Sequence, residues 1–378
     1  MLNLEYFIAK RVATDGSSTT AKSFSRLIIR IAIVATALSV SVMIIATAVI
    51  AGFKSEISDK IFGFWGHIRI TDTNVNRSFL EEYPININQP FYPDITDVAH
   101  VNYVEQFQIA GIDIPYQLNR STKGGIAHIQ AYALKPGIIK ADEQIEGIIL
   151  KGIGTDFNWD FLNQYLVRGR AIALPDSSMS REIVISEQTA NRLRLDTGSV
   201  FRVHFIGQDE QPIRRFSVSG IYKTGLEEYD ARFALVDIRQ LQRLLGWSTE
   251  QVGGFEVFVE DLRDLQPLTD YVYYNELPSN LYAENLRESA TFGNIFHWLE
   301  LQDINEAVIL SLMIIVSIIN MVTALMILIL ERTQMIGTLK ALGMSNWSIR
   351  KIFLNYAAYI ILLGLLWGNI IGIALCWI

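Results

Sequence analysis

The 378-residue chain has one cysteine, nine prolines and five histidines, and each scarcity excludes something. With Cys376 alone, no disulfide forms within the chain and a cysteine-based metal site is excluded, so a folded domain outside the cytoplasm must be stable through its core. His67, His100, His128, His204 and His297 are scattered without metal-ligand spacing, the pattern of ordinary surface or core residues. No G-x-x-x-x-G-K-[ST] occurs. Gly16 to Lys22 has the length but carries Ala21 in place of the second glycine, so the chain by itself does not bind ATP in P-loop fashion. Neither G-x-S-x-G nor H-E-x-x-H appears. The residues therefore offer no catalytic, cofactor-binding or metal site.

Charge is the most informative absence. Residues 31–53, 307–330 and 352–378 contain no Asp, Glu, Lys or Arg, in windows of 23, 24 and 27 residues. A helix needs roughly 20 apolar residues to cross a ~30 Å hydrocarbon core. A charge at its middle costs about 2.5–3.5 kcal/mol on insertion scales, so three such windows point to three spans rather than buried helices of a soluble protein. The first window begins too late and runs too long for a cleaved signal peptide, and no small-residue cleavage site follows it.

Charge sorting predicts the topology. Residues 1–30 carry Lys10, Arg11, Lys22, Arg26 and Arg30 against Glu5 and Asp15, and 331–351 carries Arg332, Lys340, Arg350 and Lys351 against Glu331. Short basic flanks stay in the cytoplasm. The segment 54–306 holds 23 basic and 36 acidic residues, a balance consistent with export and unsuited to nucleic acid. The expected layout is a cytoplasmic N-terminal segment (1–26), a first span (27–53), a large outer domain (54–306), a second span (307–330), an inner segment (331–351) and a third span (352–378).

Leu4-Glu5-Tyr6-Phe7-Ile8-Ala9-Lys10-Arg11 reads as a short amphipathic helix on the inner membrane surface, and Gly16 to Thr20 as its link to the first span. Outside, strand signals fall at 67–71, 104–114, 127–134, 182–185, 199–205, 215–222 and 255–259, with helices at 187–193 and 237–245. This is an α+β domain with a candidate inserted subdomain at about 137–222. The stretch 281–307 lacks proline and predicts a helix leading into the second span. Phe62, Phe64, Trp65, Phe296 and Trp298 are most simply an interfacial aromatic belt.

Two places could carry function. In the inner segment, Met335, Leu339 and Leu342 share a helical face, Gly343 is a stop, and Ser345 can cap a new helix holding Trp347 and Ile349. A helix, break and helix suits docking into another protein's groove, against the plain alternative of a solvated loop. Within the spans, Ser39, Ser41, Thr47 and Asn320 are polar. Helix–helix hydrogen bonding is the bland role for them, and the wall of a substrate cavity, with Met43, the sharper one.

These residues resemble a known family, the permease subunits of lipoprotein-releasing ABC transporters within the FtsX-like and MacB-like superfamily, over nearly the whole chain. Phe7-Ile8-Ala9-Lys10-Arg11 is similar to the family's N-terminal surface helix, and Ile61-Phe62-Gly63 with Gly66-His67-Ile68 to its sequence after the first span. The stretch from Gly220 to Asp230 resembles the G-I-[FY]-x-T-G-x-x-E-Y-D motif through Gly220, Thr224, Gly225, Glu228, Tyr229 and Asp230. Ile319-Asn320-Met321-Val322 and the run from Ile336 to Gly343 resemble the second span and the coupling segment, with Met335 where an acidic residue is common.

The resemblance implies a membrane α-helical bundle of four spans, three of them present here, with a MacB-like α+β domain inserted between spans 1 and 2. On that basis a fourth helix is expected beyond residue 378. It implies a multi-pass bacterial inner-membrane protein with a cytoplasmic N-terminus and a periplasmic domain. Its partners would be an ABC ATPase dimer that uses ATP, a second permease (identical or related), acylated lipoprotein cargo, a periplasmic lipoprotein chaperone and the lipid bilayer. This non-catalytic chain would bind no cofactor. Glu331, Arg332, Met335, Leu339, Lys340, Leu342, Gly343 and Ser345 would couple to the ATPase. A hairpin with Gly207, Pro212 and Arg215 lies where some members carry a chaperone-recruiting hook, an ordinary surface hairpin being the alternative. Two other readings stay open: a MacB-like exporter of peptides or toxic compounds, which usually carries a fused ATPase, and an FtsX-like regulator of cell-wall hydrolases, which usually has a smaller outer domain.

In intact cells, and with Cys376 replaced by Ala in both chains, a membrane-impermeant thiol reagent is expected to label the Glu228→Cys variant and to miss Lys340→Cys. Labelling of both from one side would overturn this topology.

Overall fold

The computed structural model describes residues 20–74, 83–109, 112–141, 144–205, 212–290 and 292–377. Residues 4–11, 16–19 and Gly207 of the expected hairpin lie outside the described residues. In chain order the elements are α1 (Thr20–Trp65), β1 (Ile68–Asp72), β2 (Ile85–Asn86), β3 (Asn102–Ile109), β4 (Ile112–Ser121), β5 (Ile126–Ala141), β6 (Gln144–Ile153), α2 (Asp160–Gln164), β7 (Leu166–Gly169), β8 (Glu182–Ser186) and α3 (Glu187–Leu193). They continue with β9 (Val200–Phe205), β10 (Ile213–Tyr222), α4 (Glu227–Asp230), β11 (Phe233–Asp237), α5 (Ile238–Leu245), β12 (Gln251–Val252), β13 (Gly254–Val259), α6 (Leu265–Tyr271), β14 (Leu281–Asn285), α7 (Gly293–Glu331), α8 (Thr333–Ala341) and α9 (Asn346–Cys376). The chain divides into two units, Met1–Ser55 with Trp298–Ile378, and Glu56–His297.

In the first unit, α1, α7 and α9 are long and apolar enough to cross a membrane. No proline interrupts them, so every interior N–H finds its carbonyl four residues back, as hydrocarbon demands. The hydroxyls of Ser311 and Thr323 bond back to Ala307 O (2.7 Å) and Ile319 O (2.9 Å), which satisfies them inside α7. The helix that contains the first apolar window does not stop at 53. It continues through Lys54 and Lys60 to Trp65, because nothing in that polar stretch breaks a helix.

The second unit is built on one ten-stranded mixed sheet, ordered β14-β1-β13-β5-β6-β11-β8-β10-β7, with β9 lying between β10 and β5. Strands of the 137–222 stretch share this sheet with β1 and β13. Short helices follow strands where the chain offers caps: Ser186 Oγ accepts Thr189 N–H at 3.1 Å to open α3, and Asp237 accepts Arg239 N–H at 3.0 Å to open α5.

Three expectations need correction. The single strand read over 104–114 is two strands, β3 and β4, paired as a separate two-stranded ribbon. The helix expected from 281 begins only at Gly293, and Leu281–Asn285 is the edge strand β14, with Leu281, Ala283 and Asn285 turned inward. That period of two was outweighed by the lack of proline. The aromatic belt is also mostly core. Phe62, Phe64, Trp65 and Phe296 are buried within Glu56–His297, and only Trp298 is exposed.

The last turn of α1 is the pivot of that core. Trp65 packs edge-on to Phe233 (4.9 Å between centroids) and against Phe292 (5.4 Å), while Phe62 stacks on Phe296 at 5.0 Å. Full burial of such side chains contributes about 1.5–3 kcal/mol each. Beneath them, wholly buried Lys151 of β6 pairs with wholly buried Glu256 of β13 at 2.7 Å and donates to the carbonyl of Phe64. Gln130 Nε2 gives Glu256 a further bond at 2.7 Å. Burial lowers the Lys151 ammonium below the usual lysine range, and Glu256 opposes that shift. His67 is also held neutral: burial, then Arg287, lowers it to about 4, and its Nδ1 accepts Val259 N–H at 2.8 Å.

Breaking a buried pair from one side strands a charge at a cost of about 3–5 kcal/mol, whereas replacing both partners by apolar groups is often neutral. Lys151→Met alone should lower the thermal unfolding midpoint sharply, and Lys151→Met with Glu256→Leu should recover most of the loss. A double variant as unstable as the single one would show that the pair is not the source.

Candidate functional site

Three places bring the singled-out residues together, and each is best read from its backbone upward.

The first is the break between α7 and α9. Arg332 leaves the helical region, and its N–H bonds Leu328 O (3.1 Å) and Ile329 O (3.2 Å), so α8 follows with almost no linker. At its other end Gly343 adopts φ +89°, its N–H bonding Lys340 O at 3.0 Å while Met344 N–H bonds Leu339 O at 3.1 Å. This is a Schellman stop, which needs a residue free of Cβ at the left-handed position. Ser345 then caps α9, its Oγ accepting Ser348 N–H at 3.2 Å.

The apolar side of α8 is not free for a partner. Met335, Ile336, Leu339 and Met344 pack against a cluster of Ala32, Leu328, Ile349, Phe353, Tyr356 and Ile360. Leu342, expected on that face, points away and is 77% exposed. What remains outward is a polar face with Gln334 and Lys340, ending in exposed Leu342 and Trp347. Glu331 and Arg332 are half-buried, and Glu331 Oε2, Arg332 Nε and the Tyr356 hydroxyl lack hydrogen-bond partners among the described residues.

The second place is the packing of α1 on α9, which the sequence reading missed. Gly364, Gly368 and Gly372 recur every four residues on α9 and meet Thr36, Val40 and Ile44 on α1. A Cβ at Gly368 would stand 2.7 Å from Val40 Cβ and 2.8 Å from Ala37 O. Ser41 Oγ donates across to Gly368 O at 2.9 Å. Small residues let two backbones approach this closely, and dispersion plus one hydrogen bond replaces the missing hydrophobic drive in lipid. The spacing was visible as G-x-x-x-G-x-x-x-G. Of the cavity candidates, Ser39 is buried and Met43 half-buried, while Thr47 and Asn320 lie on open helix surface.

The third place is in the sheet unit. The 220–230 motif is a closed turn. Asp230, nearly buried, accepts from Thr224 Oγ1 (2.7 Å), Thr224 N (3.1 Å) and Gly225 N (3.0 Å). Gly220 gives β10 room beside β7, since a Cβ there would stand 2.5 Å from Arg170 O. Tyr229 stacks on Phe292 (5.9 Å) and Phe233 (6.1 Å), so the motif braces the aromatic seat of α1. Glu228 belongs to α4, with its side chain outside the described residues.

Near the hairpin, Lys140, Arg202 and Arg215 stand opposite one another across β5, β9 and β10, all exposed. No described residue forms an ion pair with them. Like charges directly opposed in a sheet are destabilising, so this row is a feature that packing alone does not explain. Exposed Ile145, Val200 and Ile213 surround it, and Pro212 is half-buried. Among the described residues, no group of His, Cys, Asp and Glu could hold a metal ion.

Comparison with known proteins adds to this geometry. Residues 31–272 match the family model of the MacB-like periplasmic core domain, and 307–378 that of the FtsX-like permease C-terminal region. The lipoprotein-releasing system transmembrane protein LolC of Xylella fastidiosa is 23% identical over 100% of this chain and 81% of its own length. The corresponding LolE of Haemophilus influenzae is 21% identical over 92% of this chain and 77% of its own. The extracellular domain of the noncanonic ABC-type transporter YknZ from Gram-positive bacteria aligns over 42% of this chain and 82% of that one, with 18% identity and a TM-score of 0.30.

Overpacking a tight contact costs about 1–3 kcal/mol. Gly368→Leu should lower the thermal stability of the full chain in detergent by several degrees, whereas Leu366→Ala on the open side of α9 should change it little. Equal effects would show that α1 and α9 do not meet at Gly368.

Proposed function

The chain belongs to the MacB-like periplasmic core domain family and ends in an FtsX-like permease region. From that membership we propose that it is the permease subunit of an ABC transporter that releases acylated lipoproteins from the inner membrane. Its likeness over nearly full length to transmembrane proteins of lipoprotein-releasing systems is the observation that carries this reading.

The ATPase is a separate subunit, in keeping with the lack of a P-loop in this chain. It docks on the outward face of α8, where Gln334, Lys340, Leu342 and Trp347 are exposed. Because the opposite face is packed against Leu328 and Phe353, a push on α8 displaces the end of α7 and the start of α9 together. Glu331 Oε2 and Arg332 Nε, which lack partners among the described residues, are poised to gain them when the ATPase binds. The close α1–α9 contact makes that pair move as one body. Unbroken helical backbone in α1 and α7 carries the shift to the periplasmic domain, as rigid elements with two near-equal packings do.

Acyl chains are held in a bilayer by about 0.8 kcal/mol per buried CH₂, so a multiply acylated cargo leaves only with such a driver. Thr47 and Asn320, on open helix surface, fit a wall completed by a second permease, identical or related. The row Lys140, Arg202 and Arg215 beside Pro212 supports a docking face for an acidic surface on a periplasmic chaperone that takes the cargo.

Depletion of the chain is expected to leave outer-membrane lipoproteins in the inner membrane. Re-expression should relieve this, and a Leu342→Asp/Trp347→Ala chain should not. Normal arrival of lipoproteins at the outer membrane in depleted cells would end this reading.

A further inference from the structure

The ribbon β3–β4 lies apart from the large sheet, and β3 pairs with β4 alone. Thr122 N–H bonds Val101 O at 2.9 Å, and Val101 N–H bonds Thr122 Oγ1 at 2.9 Å, so Val101 faces β4. In an antiparallel pair the bonding residues alternate along the strand. With Asn102 opposite Ser121 and Val104 opposite Asn119, the N–H and C=O groups of Asn102 and Val104 therefore point away from β4. Their edge is unpaired among the described residues.

A cleft of about 470 Å³ runs along this strand. The facing wall is Gln266, Pro267, Tyr271 and Tyr274 of α6 and the turn after it, and no described residue of β4 lines the space. That turn, Val272–Glu276, is π-helical, a conformation that recurs at functional sites. It leaves Tyr274 77% exposed. Tyr274 meets Tyr273 edge-on at 4.9 Å, and Tyr273 meets Tyr282 of β14 at 5.5 Å, which extends the aromatic surface beyond the cleft. Two of the three charges at the rim are matched within the protein, and the third is a carboxylate. Arg263 pairs with Asp261 at 2.6 Å and Glu105 with Arg120 at 2.6 Å, while Asp270 accepts from the neutral Gln266 amide at 3.1 Å and keeps its negative charge.

An open strand edge on one side, a Tyr and Pro wall on the other and a rim whose one unmatched charge is the Asp270 carboxylate define what fits. We propose that this cleft takes an extended stretch of polypeptide without acidic side chains, added as a further strand on the free edge of β3. Main-chain bonds to Asn102 and Val104 supply the hold, and Tyr271 and Tyr274 receive alternate side chains. The strand edge separates this from a glycan site. Amide groups at strand spacing match another backbone, whereas sugar hydroxyls have no such period. The inference goes beyond the lipoprotein-release reading and stands whatever the cargo is.

The test uses the full chain in lipid nanodiscs and a short fluorescein-labelled peptide of Ser, Thr, Asn and Val, read by fluorescence anisotropy. Tyr274→Ala should weaken binding about tenfold, the loss of an aromatic anchor. Val104→Pro should weaken it about fivefold by removing one outward N–H. Proline is tolerated where an edge-strand N–H faces solvent, so the fold should persist, and Val104→Thr, which keeps the N–H, should bind as the parent does. No binding, binding unchanged by both variants, or loss in Val104→Thr equal to that in Val104→Pro would overturn the proposal. So would binding of a peptidoglycan oligosaccharide that is lost in Tyr274→Ala and kept in Val104→Pro, since that outcome identifies a glycan site.

Discussion

Helix α1 ends with carbonyls that no further helical turn can satisfy, and the way the sheet meets them governs the second unit. Lys151 reaches the carbonyl of Phe64 from below, where a cation also favours the negative end of the helix dipole. Its charge is tolerable there because Glu256 stands beside it, and Glu256 is met in turn by Lys151 and Gln130. The rings of Phe64 and Trp65 lie 4.9 and 5.0 Å from the ammonium and close the site to water. Polar satisfaction and aromatic packing thus fix the same turn of helix.

From that seat the domain is layered outward. Phe233 and Phe292 hold Trp65, Tyr229 holds Phe233 and Phe292, and Asp230 holds the turn that positions Tyr229. The 220–230 motif accordingly serves architecture: its most polar residue is consumed inside its own loop. In the membrane unit the logic differs. No sheet is available, so α1 and α9 rely on three glycines and one hydroxyl for their contact, and α8 relies on a small apolar cluster. Each device brings rigid pieces together without a long flexible link.

Much of this was legible in the sequence. Charge-free windows gave the three long helices, because the cost of a charge in hydrocarbon is large enough to dominate composition. Gly343 and Ser345 marked the break before α9, because stop and cap chemistry is local. The partners of local signals were not legible. Leu342 shares helical spacing with Leu339 yet faces away, since one turn of Schellman geometry redirects the chain. Phe62, Phe64 and Trp65 looked like a membrane belt because burial beneath a sheet and burial at a lipid interface select the same residues. Lys151 and Glu256 are 105 residues apart, and nothing near either one announces the other. The α9 glycines were visible, but only the approach of Thr36, Val40 and Ile44 gives their spacing a meaning.

The buried pair has a consequence for warming. Hydration of charged groups carries a strongly negative entropy, so the penalty for withholding water from Lys151 and Glu256 shrinks as temperature rises. Attraction between apolar side chains gains little over the same interval. The join between helix and sheet therefore loses less of its strength on heating than the aliphatic interior around it, and the domain should loosen from its periphery inward.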